Sequence, residues 1–82
     1  MGKLKSDRII EFIAIRCKQL RKENNLTQLD VVNDTGIAIS RVESGRMDIT
    51  VSTVQKLADY YGVDLSEFFR ADLVQQFNEQ FI

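Results

Sequence analysis

The chain has 82 residues, 11 Lys and Arg against 12 Asp and Glu, one cysteine, no proline and no histidine. One cysteine rules out an internal disulfide, and the lack of histidine removes Cys/His zinc sites, His triads and His general bases. The carboxylates are scattered and "DTGIA" and "ESGR" each hold a single glycine rather than a phosphate-cradling loop, so no enzyme, metal site or cofactor is expected.

The size is that of one domain, residues 1–82, built around a single core. No apolar run approaches the roughly 18–20 residues of a membrane span. The start, "MGKLKSDRIIEFIAIRCKQL", carries charges through its apolar positions and does not read as a signal peptide. Gly2 opens only a weak match to the lipidation pattern M-G-x-x-x-[ST]. The expectation is a cytoplasmic protein without membrane contact. The near-zero net charge hides an asymmetry. Residues 1–25 hold seven basic and three acidic side chains, residues 47–82 two basic and six acidic. A basic half turned toward a polyanion suits nucleic-acid binding, whereas solvated faces of no consequence give the same count.

The predicted elements follow in chain order. Ser6 caps a first helix, with Asp7 complementing its positive end. Ile10, Ile13, Cys17 and Leu20 recur at helical spacing and form one buried stripe. The helix ends near Asn24 or Asn25, because Asn tolerates the left-handed conformation. Cys17 lies on the stripe and reads as a small buried apolar residue rather than a reactive thiol. Thr27 caps a second helix over residues 28–34, which turns Val31 and Val32 inward and Asp30 and Asn33 outward. Gly36 makes the turn. A third helix covers residues 37–44, with Ile39 and Val42 buried and Gly45 ending it at positive φ. Thr50 caps a fourth helix over residues 51–61 whose stripe is Val51, Val54, Leu57, Ala58 and Tyr61, stopped by Gly62. Asp64 caps a fifth, anchored by Leu65, Phe68 and Phe69. The remaining "RADLVQQFNEQFI" continues at helical period.

Two short helices joined by a tight Gly-containing turn make a helix-turn-helix pattern. The segments "LRKENNLTQ", "TGIAISRVESGR" and "ITVSTVQKLADYYGVDLSEFF", in that order, resemble the phage-repressor and Cro-type helix-turn-helix family. The resemblance spans about residues 9–69. It implies an all-α fold: a compact five-helix, lambda-repressor-like domain (core about 7–69) that binds double-stranded DNA, usually as a homodimer, followed here by a helical C-terminal extension (70–82).

The resemblance also assigns roles. Thr27 and Gln28 open the second helix at positions that meet a phosphate, consistent with the free amides and positive dipole of a helix start. Arg21 and Glu43 match a pair that bridges the first and third helices from partly buried positions, the alternative being two exposed charges. Members of the family have about three more residues between the Gln28 position and the "ISRVE" segment. Those residues start the reading helix. Here Ile37 and Ala38 leave only apolar groups at that end, so the DNA-facing set is Thr27, Gln28, Ala38, Ser40, Arg41, Ser44 and Arg46. Arg41 suits bidentate contact with guanine O6 and N7, or else a phosphate. Arg46 suits the backbone, with Lys18, Lys22, Lys3 and Lys5 as further phosphate contacts.

The tail carries more apolar side chains than one short helix buries on its own domain. Phe69, Leu73, Val74, Phe77 and Phe81 form an expected homodimer interface, the alternative being that the tail folds back on its own first helix. The resulting expectation is a sequence-specific transcriptional regulator of repressor type, working on a palindromic site. The rival reading is a protein-interaction module, or an antitoxin-type regulator with an unknown protein partner, that uses the same fold as a scaffold.

Overall fold

A computed structural model describes residues 6–70 and residue 72. Five helices follow in order: α1 (Ser6–Glu23), α2 (Gln28–Thr35), α3 (Ile39–Glu43), α4 (Val51–Tyr61) and α5 (Leu65–Phe68), with no strand among the described residues. The fold is all-α and compact. The capping expected of Ser6 and Asp7, the Lys3 and Lys5 arm, and the helical extension with Leu73, Val74, Phe77 and Phe81 lie outside the described residues or side chains.

The long α1 is the spine, packed against α3 and α4, while α4 carries α5. Its buried stripe is Ile13, Cys17 and Leu20, with Ile10 half-buried. At 0 % exposure the Cys17 thiol is pushed up to about 12 by desolvation, so it behaves as an apolar filler. α1 ends where Asn25 turns to φ 56°, after the Asn24 side-chain Nδ2 has donated to the Leu20 carbonyl at 2.8 Å.

Thr27 caps α2 reciprocally. Its Oγ1 accepts from the Asp30 amide at 3.0 Å, and its own N–H donates to Asp30 Oδ2 at 2.9 Å. Val31 is fully buried, but Val32 is 38 % exposed, contrary to the expectation that both point inward. Successive helical residues lie about 100° apart, and a short helix has room on its core face for one of the two. Gly36, at φ 74°, closes α2 by donating to the Val32 carbonyl.

α3 is shorter than the expected span of residues 37–44. The Ile37 N–H is held by Thr35 Oγ1 at 3.1 Å, and Ala38, at φ −74° and ψ 77°, has no side chain with which to cap. The turn therefore runs to Ala38, and Ile39 and Val42 anchor only five helical residues, at 0 and 2 % exposure.

Thr50 accepts from the Thr53 amide to start α4, which buries Val54, Leu57, Ala58 and Tyr61. Val51 was expected on the same stripe, yet it is 80 % exposed, because the first turn of α4 projects past the core. Asp64 starts α5 by accepting from the Glu67 amide at 2.8 Å. Phe68 is fully buried, whereas Phe69, an expected anchor, sits just beyond the helix at 38 % exposure, stacked on Phe12 with ring centroids 5.9 Å apart.

The capping carboxylates give the fold a pH dependence. Asp30 is held below its usual value by hydrogen bonds from Thr27, and Asp64 by those from Glu67 and Ser66. A carboxylate depressed on folding stabilises the native state fully above its unfolded value of about 3.9, and that contribution disappears as the pH falls through the folded value. An Asp30→Asn, Asp64→Asn variant should therefore show a melting temperature that varies less between about pH 5 and pH 2 than that of the parent. Parallel melting curves would remove the two caps from the account.

Candidate functional site

The helix pair α2 and α3, joined by residues 36–38, is braced from behind. Arg21 on α1 donates from Nε to Glu43 Oε2 at 2.7 Å and from Nη2 to Oε1 at 3.1 Å, while its Nη1 donates to the Leu26 carbonyl at 2.9 Å. The two side chains are only 11 and 4 % exposed. Gln28 Nε2 adds a bond to the same Glu43 Oε1 at 3.0 Å. The Glu43 carboxylate thus ties the last residue of α3 to α1 and to the first turn of α2, and Arg21 adds the loop before α2. The bond to Glu43 holds the Arg21 guanidinium above its usual value. A fork matched to a carboxylate fixes orientation as well as distance, which a single point contact does not.

In front of this brace lie the residues assigned to contact a ligand. Thr27, Gln28, Ala38, Ser40, Arg41, Ser44 and Arg46 are all exposed. Their polar groups differ in what is left to offer. Both groups of Thr27 are engaged in the α2 cap, so its N–H faces Asp30 rather than an incoming anion. Ser44 Oγ donates to the Arg41 carbonyl at 2.6 Å and accepts from the Arg46 N–H at 3.3 Å, so it closes α3. Gln28 has its amide nitrogen turned to Glu43, which points its carbonyl away from that carboxylate. Among the described residues, the Arg41 and Arg46 guanidinium groups and the Ser40 hydroxyl make no side-chain bond or ion pair. Ala38 offers only a methyl.

The charge asymmetry of the sequence is smaller on the surface. Two of the seven cations in the first 25 residues, Arg16 and Arg21, are internal at 1 and 9 % exposure. Arg16 is the residue that sequence reasoning missed. Its Nε donates to the Phe68 carbonyl at 2.7 Å, its Nη2 to the Glu67 carbonyl at 2.9 Å and its Nη1 to Gln19 Oε1 at 2.6 Å. It caps the end of α5 from inside the protein, and burial pulls its guanidinium below the usual value. The signal was positional: Arg16 lies between Ile13 and Leu20 beside Cys17, on the inward side of α1. A second unexpected contact joins Tyr60 on α4 to Asp34 on α2, the phenol donating at 2.6 Å and being pushed up to about 12 by that bond.

Among the described residues there is no group of three or more His, Cys, Asp or Glu side chains able to hold a metal ion, and no helix long and apolar enough to cross a membrane. Arg41 on α3 and Arg46 just past its end present two exposed guanidinium groups, backed by the buried Arg21–Glu43 pair. The arrangement defines a class, and the helix-turn-helix family profile matches residues 18–68, so the chain belongs to that family. It is similar to the HTH-type transcriptional regulator PuuR of Escherichia coli strain K12 and to that of Shigella flexneri, at 37 % identity over 57 residues in each case. The matched stretch is 66 % of this chain and 31 % of each relative, so the chain spans less than a third of their length. No solved structure matches the chain.

Proposed function

We propose that the chain is a DNA-binding transcriptional regulator that lays α3 in the major groove of duplex DNA. The observation that carries this reading is the exposed guanidinium of Arg41 on a helix whose far side is clamped by the buried Arg21–Glu43 pair. Family membership and the similarity to regulators named as HTH-type support it. In this reading Arg41 forms two parallel bonds to a guanine, and Ser40 and the outward carbonyl of Gln28 reach neighbouring groups. Arg46, Lys18 and Lys22 hold phosphates, and Thr27 serves the helix rather than the DNA. The protein acts in the cytoplasm as a repressor-type homodimer, its two reading helices about one helical turn of DNA apart (~34 Å) on a palindromic site.

Selection of bound sequences from a random duplex pool tests binding, palindromy and spacing together. Arg41→Ala should relax sequence preference at one position by about 1–3 kcal/mol of discrimination. Arg46→Ala should weaken all sequences alike and reduce the salt slope by about one. Equal losses on selected and random duplex for both variants would contradict the division of labour. No electrophoretic shift on any duplex at low salt would move the chain to the interaction-module class.

A further inference from the structure

We propose that an apolar groove between α1, the start of α4 and α5 seats the 73–82 segment of a second copy of this chain, each tail crossing into its partner's groove. The proposal deepens the two-fold arrangement above and rests on it. Three of the large hydrophobic side chains left exposed, Ile9 at 45 %, Val51 at 80 % and Phe69 at 38 %, line this one groove together with Ile13, Ile49 and Leu65. It encloses about 280 Å³, and Asp48 is its one charged lining residue. Exposed apolar side chains gathered in a concave patch mark a docking site, whereas scattered ones do not.

The chain itself points to the occupant. Phe69 is both a wall of the groove and the last residue of the α5 turn, so the sequence that follows starts at the rim. That sequence is "LVQQFNEQFI", in which Leu73, Val74, Phe77 and Phe81 fall on one face at helical spacing and Gln75, Gln76, Asn78, Glu79 and Gln80 fill the rest. A face of this kind matches an apolar groove as a helix-in-groove contact. The short link that leads from the rim to the tail carries the exposed Arg70–Asp72 ion pair at 2.7 Å. Two exchanged tails bring four phenylalanine rings, each burying about 150–250 Å². With the groove walls this passes the roughly 1,000 Å² that a specific interface needs.

The test is made on the full chain without DNA, so it fails or succeeds independently of the DNA reading. Sedimentation equilibrium at concentrations on the order of 10 µM should give a dimer. Val51→Glu and Phe77→Glu should each raise its dissociation constant at least about tenfold, a change of roughly 1.4 kcal/mol. The helical circular dichroism of Val51→Glu should stay unchanged, since that side chain is already in solvent. In a mixture of differently tagged Val51→Cys and Phe77→Cys chains, a bis-maleimide should join one tag to the other, with the buried Cys17 out of reach. A monomer would overturn the proposal. So would a dimer indifferent to Val51→Glu, or a doubly substituted chain that links only within itself. A dimer that binds no DNA would leave it standing and remove the regulatory reading alone.

Discussion

Arg21→Ala is expected to cost about 3–5 kcal/mol of stability, because it leaves the Glu43 carboxylate inside the protein with Gln28 as its remaining side-chain partner. A domain of this size has roughly 0.05–0.15 kcal/mol per residue in reserve, about 4–12 kcal/mol in all, so the variant gives up a large share of its stability. Where a melt is measurable, the midpoint should fall by at least about 12 °C, taking 4–8 °C per kcal/mol for small domains. The informative partner is the double variant Arg21→Met, Glu43→Leu. Removing both charges together avoids the stranded carboxylate, so most of the stability should return. The bidentate fork that sets the angle of α3 does not return with it. In the DNA-binding reading, that variant should fold and still lose discrimination among duplex sequences. A cost below about 1 kcal/mol for Arg21→Ala, as for exposed ion pairs, would show that the clasp is not what fixes α3.

The second large effect is expected at Arg16. Arg16→Met keeps the aliphatic stem and removes the guanidinium, leaving the Phe68 carbonyl without its donor and the Glu67 carbonyl with the Arg70 N–H at 3.3 Å. An unsatisfied buried polar group costs about 1–3 kcal/mol, and the bonds lost here were charge-assisted, so a total near 3 kcal/mol is expected. The loss should be local first. Amide exchange at α5 should accelerate more than at α1 or α4, because a four-residue helix has little else to hold its end. Arg16→Lys should recover only part of the stability, since an ammonium lacks the planar fork that reaches two carbonyls and Gln19 at once. Uniform acceleration across all helices would place the role of Arg16 in global packing instead.

These two arginines mark what sequence reading reaches and where it stops. The helix starts were legible because Thr27, Thr50 and Asp64 are capping residues at the right places, and the ends because Asn25, Gly36, Gly45 and Gly62 take the left-handed conformation. The core stripes of α1 and α4 followed from spacing. The errors have a common cause, which is that periodicity gives direction around a helix but not distance along it to the edge of the core. Val51 lies on the right stripe and still points into water, and Val32 lost the inward position to Val31. The start of α3 was misplaced because Thr35 captures the Ile37 amide, a bond with no signature in composition. At the candidate site the residue types were readable, but their commitments were not. Nothing in the string "LTQLD" says that Asp30 occupies the Thr27 amide, or that Gln28 turns its nitrogen to Glu43 fifteen residues away. Arg16 was legible by position and hidden by residue type, since an arginine on an inward face is unexpected until the carbonyls it serves are seen.

In the DNA-binding reading, the brevity of α3 limits how much text the protein can read. Five helical residues extend about 7.5 Å. Base pairs stack about 3.4 Å apart, so the helix lies alongside two or three of them. A regulator with so short a ruler recognises words that recur by chance many times in any genome. In the proposed two-fold arrangement its address comes from the pairing of two such words at a set interval, and a single copy of the chain would be nearly blind to sequence.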